Sequence, residues 1–298
     1  MRPARLITGD RPAVVLVAHG SRDPRAAEAT EALARAVRRE HPSWDVHAAY
    51  LDHAGPRPLD VLAGLPGRRA VVVPLLLTKA YHGRVDVPAV VTAAADLPVE
   101  VTLADVLGPT PHSALTPHPG PPSHSGPTLL SEPTSHSGSA SHLGLAVLPA
   151  QRQTGPFAEA GAVPALLIDA LVRRLPAADL DAVVLAAAGT RNAAARTTVE
   201  WAANALSARL GLPCAVAYSS AAPPLPGAAV DLLRAAGACR VGMAAYFLAP
   251  GYLYDVAAES ARAAGAVAVA APLTDAPELV RLVAARVAAV SARTSAAA

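Results

Sequence analysis

His19, Asp52 and His82 each follow a short apolar run: "AVVLVA" at 13–18, "VHAAYL" at 46–51 and "AVVVPLLL" at 70–77. In an open parallel sheet, ligands bind in the crevice beyond the carboxyl ends of the strands. Two imidazoles and a carboxylate there suit a borderline divalent ion such as Fe2+, Co2+, Ni2+ or Zn2+, and leave positions open for exchange. Neutral imidazole also accepts a proton near neutral pH. The chemistry in view is metal handling coupled to proton transfer.

Several other chemistries lack their residues. Ser21 does not sit in a G-x-S-x-G elbow, which argues against a serine nucleophile. The chain's one lysine, Lys79, follows "PLLLT" rather than a glycine-rich loop, and no G-x-G-x-x-G follows a strand. Neither a nucleoside triphosphate nor a dinucleotide cofactor is supported.

The elements that must position these residues alternate. Strands are predicted at Ala13–Ala18, Val46–Leu51, Ala70–Leu77 and Val99–Leu103, with helices at Pro24–Glu40, Pro58–Leu65 and Val85–Ala95. The order returns later in the chain. Strands are predicted at Ala182–Ala187, Cys214–Tyr218, Arg240–Leu248 and Ala266–Ala270, with helices at Ala193–Leu210, Gly227–Ala236, Tyr252–Ala264 and Pro277–Val290. This is an α/β fold with two tandem doubly wound parallel-sheet domains, expected to be pseudo-two-fold related with a cleft between them.

Sliding one half over the other by about 170 places aligns "HGSRD" at 19–23 with "AGTRN" at 188–192. "YLDHAGP" at 50–56 meets "YSSAAPP" at 218–224, and "PLLLTKAYHG" at 74–83 meets "AYFLAPGYLY" at 245–254. The chain is an internal duplication. Residues that serve the fold should persist in both copies. Gly20, Ser21 and Arg22 do, as Gly189, Thr190 and Arg191, so their task is to shape the loop and the helix start. His19, Asp52 and His82 become Ala188, Ser220 and Leu253, so one site in the first half is the economical reading. His53, beside Asp52, reads as a surface residue.

The first domain spans 1–108, and 178–298 is the degenerate repeat. Between them, 109–163 is rich in Pro, Ser, Gly and His, with His112, His118, His124, His136 and His142 on a six-residue grid. Such a composition reads as a disordered insertion, and the grid as a hexamer repeat. "ALLIDALVRRL" at 165–175 then belongs to a segment, 164–177, expected to be the last helix of the first domain.

Charge is nearly balanced, at 25 basic and 23 acidic residues, which argues against nucleic acid or an anionic membrane as a partner. Cys214 and Cys239 form no framework, and no apolar run reaches membrane length. With no signal peptide visible, a soluble cytoplasmic protein is expected.

"VAHGSRDPRA" at 17–26, "AYLDHAGP" at 49–56 and "VPLLLTKAYHGRVDVP" at 73–88 resemble the sirohydrochlorin chelatases of the CbiX/SirB type, which are ATP-independent class II chelatases. The resemblance covers both halves and excludes the insertion. It implies a lyase that inserts Fe2+ or Co2+ into sirohydrochlorin on the way to sirohaem or cobalamin, with no cofactor beyond the metal substrate. It implies that His19 and His82 bind the metal and accept protons. Asp52 stands where the family commonly has Glu, one methylene longer. Lys79, Arg84 and Arg22, with Arg25 a further candidate, would meet the substrate's carboxylates. A monomer is expected because the duplication supplies both walls of the cleft. Two other readings stay open at this point: a non-catalytic metal or tetrapyrrole carrier that works through the His-rich segment, and a chelatase for another porphyrin.

Overall fold

The computed structural model describes residues 11–65, 68–79, 85–110 and 163–297. The first half contains β1 (Ala13–Ala18), α1 (Pro24–Glu40), β2 (Asp45–Tyr50), α2 (Pro58–Ala63), β3 (Arg69–Pro74), α3 (Val87–Ala93) and β4 (Glu100–Leu103). The second contains α4 (Ala165–Arg174), β5 (Ala182–Ala187), α5 (Ala193–Leu210), β6 (Cys214–Tyr218), α6 (Pro226–Ala235), β7 (Val241–Tyr246), α7 (Tyr252–Ala263), β8 (Ala268–Val269) and α8 (Pro277–Ala297). The two sheets are parallel and share one topology, β2-β1-β3-β4 and β6-β5-β7-β8. The second copy thus repeats the first strand for strand.

Alternation along the strands sorts the core into three layers. Val14 and Leu16 share one continuous cluster with Val183 and Leu185, so the inner faces of both sheets look toward a common core. Val15 and Val17 point outward with Leu62 and Val87, while Val184 and Ala186 point outward with Val230 and Ala258. Because both faces of each central strand are covered, the strands read as unbroken apolar runs.

The helix expected to close the first domain forms as α4, but it packs on β7 and α5 of the second sheet and on α8. Conversely, α8 packs on β3 and α1 of the first. Polar ties fix this exchange. Arg174 donates to the Leu273 carbonyl at 2.8 Å, ahead of α8, and Arg286 of α8 donates to the Gly108 carbonyl at 3.3 Å, beyond β4. The physical reason is the shared inner core. Leu167, Ile168 and Leu171 of α4 need an apolar face, and both sheets offer one made of Val, Leu and Ala.

Strand β3 stops at Pro74, short of the predicted Leu77. Leu75–Leu77 continue as a loop in which Leu75 is buried in the shared core, Leu77 packs against that core and Leu76 turns to the outer layer, with the Leu77 carbonyl accepting the Tyr246 hydroxyl at 3.0 Å. β8 is also shorter than predicted. The segment 109–163 lies almost wholly outside the described residues, the histidine grid included. Among the described residues, no helix is long and apolar enough to cross a membrane.

Where α4 meets α8, the Glu278 carboxylate is 5% exposed and lies 2.7 Å from Arg173 and 3.3 Å from Arg281. Burial pushes its pKa up, but the Arg173 guanidinium, the local backbone N–H and Arg281 outweigh that and hold it below the usual value. Its stabilisation is therefore complete at neutral pH and is lost as pH falls through that lowered pKa. Glu278→Gln should cost about 1–2 kcal/mol at neutral pH, and the gap from wild type should narrow in urea unfolding curves as pH falls through the lowered pKa of Glu278.

Candidate active site

His19 is the first residue past β1 and lies partly buried where the two halves face each other. Gly20 follows with φ +93°, and a Cβ there would overlap the Asp52 carbonyl oxygen. That bare Cα lets the ends of β1 and β2 close together, with the Asp52 N–H donating to the His19 carbonyl at 2.8 Å. The second half repeats the device: Gly189 has φ +98° and meets the Ser220 carbonyl.

The hydroxyl and acid that follow serve the helix. Ser21 Oγ accepts the Asp23 N–H at 3.1 Å, as Thr190 accepts the Asn192 N–H at 3.1 Å. Asp23 caps α1 by accepting the Arg25 N–H at 3.0 Å, and Asn192 caps α5 in the same manner at 3.1 Å. The hydroxyl is thus occupied in the turn in both copies, as Ser21 in the first and Thr190 in the second.

Asp52 projects at the mouth with its side chain 55% exposed. Its carboxyl is held below the usual range, chiefly by the backbone N–H of His53 at 2.8 Å, with the His53, Arg57 and His19 side chains adding to the effect against a desolvation penalty. It is a carboxylate at neutral pH, suited to attracting a cation and unsuited to donating a proton.

Sequence reasoning missed His53. Its backbone adopts φ +60°, which turns the imidazole back toward the site. The ring lies edge-to-face with His19, centroids 6.2 Å apart at 85°, and its Nε2 is 3.5 Å from Asp52 Oδ2. A signal was available: the aligned residue is Ala221, so His53 fails to persist in the second copy, as His19 does.

The cleft at His19 has a volume of about 150 Å³, with His19, Gly20 and Tyr50 on one side and Leu248, Ala249 and Thr274 on the other. An adjoining cavity of about 380 Å³ is its pseudo-symmetric partner. There Gly189, Thr190 and Tyr218 face Leu76–Thr78 of the first half. Each half's loop after its third strand covers the first-strand end of the other half, and Leu75 and Leu248 line both cavities. Among the described residues, no imidazole or carboxylate lines the second cavity.

The predicted cations are placed unevenly. Arg22 is exposed beside the site, and Lys79 is exposed beyond the β3 loop. Arg25 reaches across the cleft and binds Asp255 of α7 at 2.6 Å, as well as Asp23. His82 and Arg84 lie outside the described residues. Among those described, no three His, Cys, Asp or Glu side chains form a cage for a metal ion.

A family model named CbiX matches residues 13–116 and again 182–290, which together make up most of the chain. The chain belongs to the CbiX family. Its two matched segments are the two copies of the duplication, so the CbiX unit occurs here twice in tandem. Among solved structures, SirB from Bacillus subtilis with Fe3+ superposes at a TM-score of 0.65 and 16% identity, covering 96% of this chain and 98% of that one. CbiX, described as the terminal enzyme for biosynthesis of siroheme in denitrifying bacteria, superposes at 0.55 and 18% identity, covering 94% and 99%. DR2241 from Deinococcus radiodurans, a multi-domain protein similar to chelatases, superposes at 0.59 and 19% identity, covering 93% of this chain and 55% of its own. At these identities the likeness is one of fold. No curated protein matches the chain in sequence.

Proposed function

We propose that this CbiX-family chain is a sirohydrochlorin chelatase, an ATP-independent lyase that inserts Fe2+ or Co2+ into sirohydrochlorin. One observation carries the reading. An imidazole, His19, stands at the carboxyl end of β1 in a cleft walled by both halves, and the matching point of the second half is Ala188. SirB structures holding Fe3+ and cobalt support the class of metal.

The reaction exchanges one divalent cation for two pyrrole N–H protons, so atoms and charge balance as M2+ plus the free-base ring giving the metallated ring and two H+. His19 and His82 hold the ion through neutral imidazole nitrogens and take up the released protons. An incompletely ligated ion can be surrendered to the ring, whereas a closed four-ligand cage would retain it. Asp52, ionised at the mouth, raises the local cation concentration and offsets the charge of the incoming ion. Arg22, Lys79 and Arg84 pair with the ring's carboxylates. One chain supplies both walls, so the working unit is a monomer, acting in the cytoplasm.

The test is an anaerobic absorbance assay of the full chain with sirohydrochlorin and Fe2+, Co2+ or Ni2+. Metal insertion without added nucleotide is expected with Fe2+ or Co2+. Metallation of a different tetrapyrrole in place of sirohydrochlorin, or of none, would overturn the assignment.

A further inference from the structure

His53 has no task in the chelatase reading above, yet its imidazole faces the same mouth as His19 and Asp52. The turn it occupies does not require a histidine. Ala221, at the matching place in the second half, adopts φ +64° against +60° for His53, so the fold forms this turn with a methyl side chain. Residues other than glycine seldom adopt positive φ, although His, Asn and Asp do so more readily than most. The backbone conformation is thus a property of both copies, and the imidazole is peculiar to the first.

The distances have a chemical meaning. Two ligands bound side by side to an ion at about 2.1 Å are themselves about 3.0–3.5 Å apart, for right-angle to tetrahedral arrangements. His53 Nε2 and Asp52 Oδ2 are 3.5 Å apart, the spacing of two donors that share one ion. Both are open to solvent, with side chains 32% and 55% exposed. Asp52 Oδ1 is engaged elsewhere, by the His53 N–H at 2.8 Å and by the Arg57 guanidinium at 3.7 Å, which leaves Oδ2 turned toward the imidazole. The His19 ring is 6.2 Å away by centroids, within one short transfer.

We propose that His53 and Asp52 form a metal-docking pair at the mouth, a two-ligand station where a divalent cation lands before passing to His19. The proposal rests on the chelatase reading for the destination of the ion, but the docking pair is a binding site in its own right. Two protein ligands with a guanidinium alongside hold an ion weakly, which suits a station that must release it. The hand-off is ligand exchange without change of oxidation state: Asp52 and His53 first displace water from the ion, and His19 and returning water then displace Asp52 and His53.

The experiment uses the full chain as wild type, His53→Ala, His53→Gln and His19→Ala. Ala221 indicates that the turn tolerates alanine, and circular dichroism checks the fold of each variant. The Co2+ dependence of insertion into sirohydrochlorin should show a KM for metal about 10-fold higher in both His53 variants, with kcat at saturating Co2+ within about twofold of wild type. His19→Ala should lose kcat instead. Equilibrium dialysis of Co2+ without tetrapyrrole should show a weak site in wild type that is absent in the His53 variants. An unchanged metal KM, or a loss of kcat with KM unchanged, would overturn the docking role. If wild type inserts no metal, the chelatase reading fails, and the dialysis result alone decides whether His53 binds metal.

Discussion

Replacing His19 with alanine should lower the rate of metal insertion by about 100-fold or more and leave the fold intact. Loss of a positioned group that moves protons typically costs about 10²–10⁴-fold, and His19 is assigned metal ligation as well. The duplication supplies the control for folding. Ala188 occupies the equivalent point, after an equivalent strand and before an equivalent positive-φ glycine, and the second sheet is complete. Thermal unfolding of His19→Ala should therefore lie within the range of a surface substitution, about 0.5 kcal/mol. A variant that loses activity only because it unfolds would contradict the assignment of His19 to chemistry.

Gly20→Ala should have the opposite character, with a large loss of stability. At φ +93° an L side chain is strained, and its Cβ would overlap the Asp52 carbonyl oxygen, which is backbone and has no rotamer through which to escape. The ends of β1 and β2 would have to part, breaking the bond from the Asp52 N–H to the His19 carbonyl. We expect a cost of about 3 kcal/mol or more. Gly189→Ala, which overlaps the Ser220 carbonyl, should destabilise by a similar amount. The two differ in function: per folded molecule, Gly20→Ala displaces His19 and Asp52 and loses insertion, whereas Gly189→Ala leaves those side chains in place. Urea unfolding combined with specific activity corrected for the folded fraction separates the two outcomes.

Much of the fold was legible because local signals agree with the global plan. β1, α1, β5, α5 and β6 form over the predicted residues. Pro24 and the Asp23 cap fix the start of α1, as the Asn192 cap does for α5, and the buried strands are unbroken apolar runs. The exchange of α4 and α8 was not legible. An amphipathic helix records which of its faces is apolar but not which sheet will cover that face, and here both inner faces are built of Val, Leu and Ala. The Arg25–Asp255 pair was hidden for a related reason, since it joins residues 230 apart in sequence across the cleft.

At the candidate site, the rule that ligands bind beyond parallel strand ends pointed to His19 and Asp52, whose backbones the structure brings together past β1 and β2, and the comparison of the two copies set them apart from the loop-shaping Gly20 and Ser21. His53 escaped because simple alternation after a strand directs neighbouring side chains apart. Positive φ at this one residue brings its ring back against His19, a backbone choice that residue type alone does not announce.

On the proposed function, metal is bound in the first copy, at His19, and not at the matching point of the second. Crystals of the full chain grown with Co2+ and measured at the cobalt absorption edge test it most directly. An anomalous peak is expected at about 2.1 Å from an imidazole nitrogen of His19, with none beside Ala188. A peak in the second half, or none at His19 in protein that inserts cobalt, would contradict this assignment.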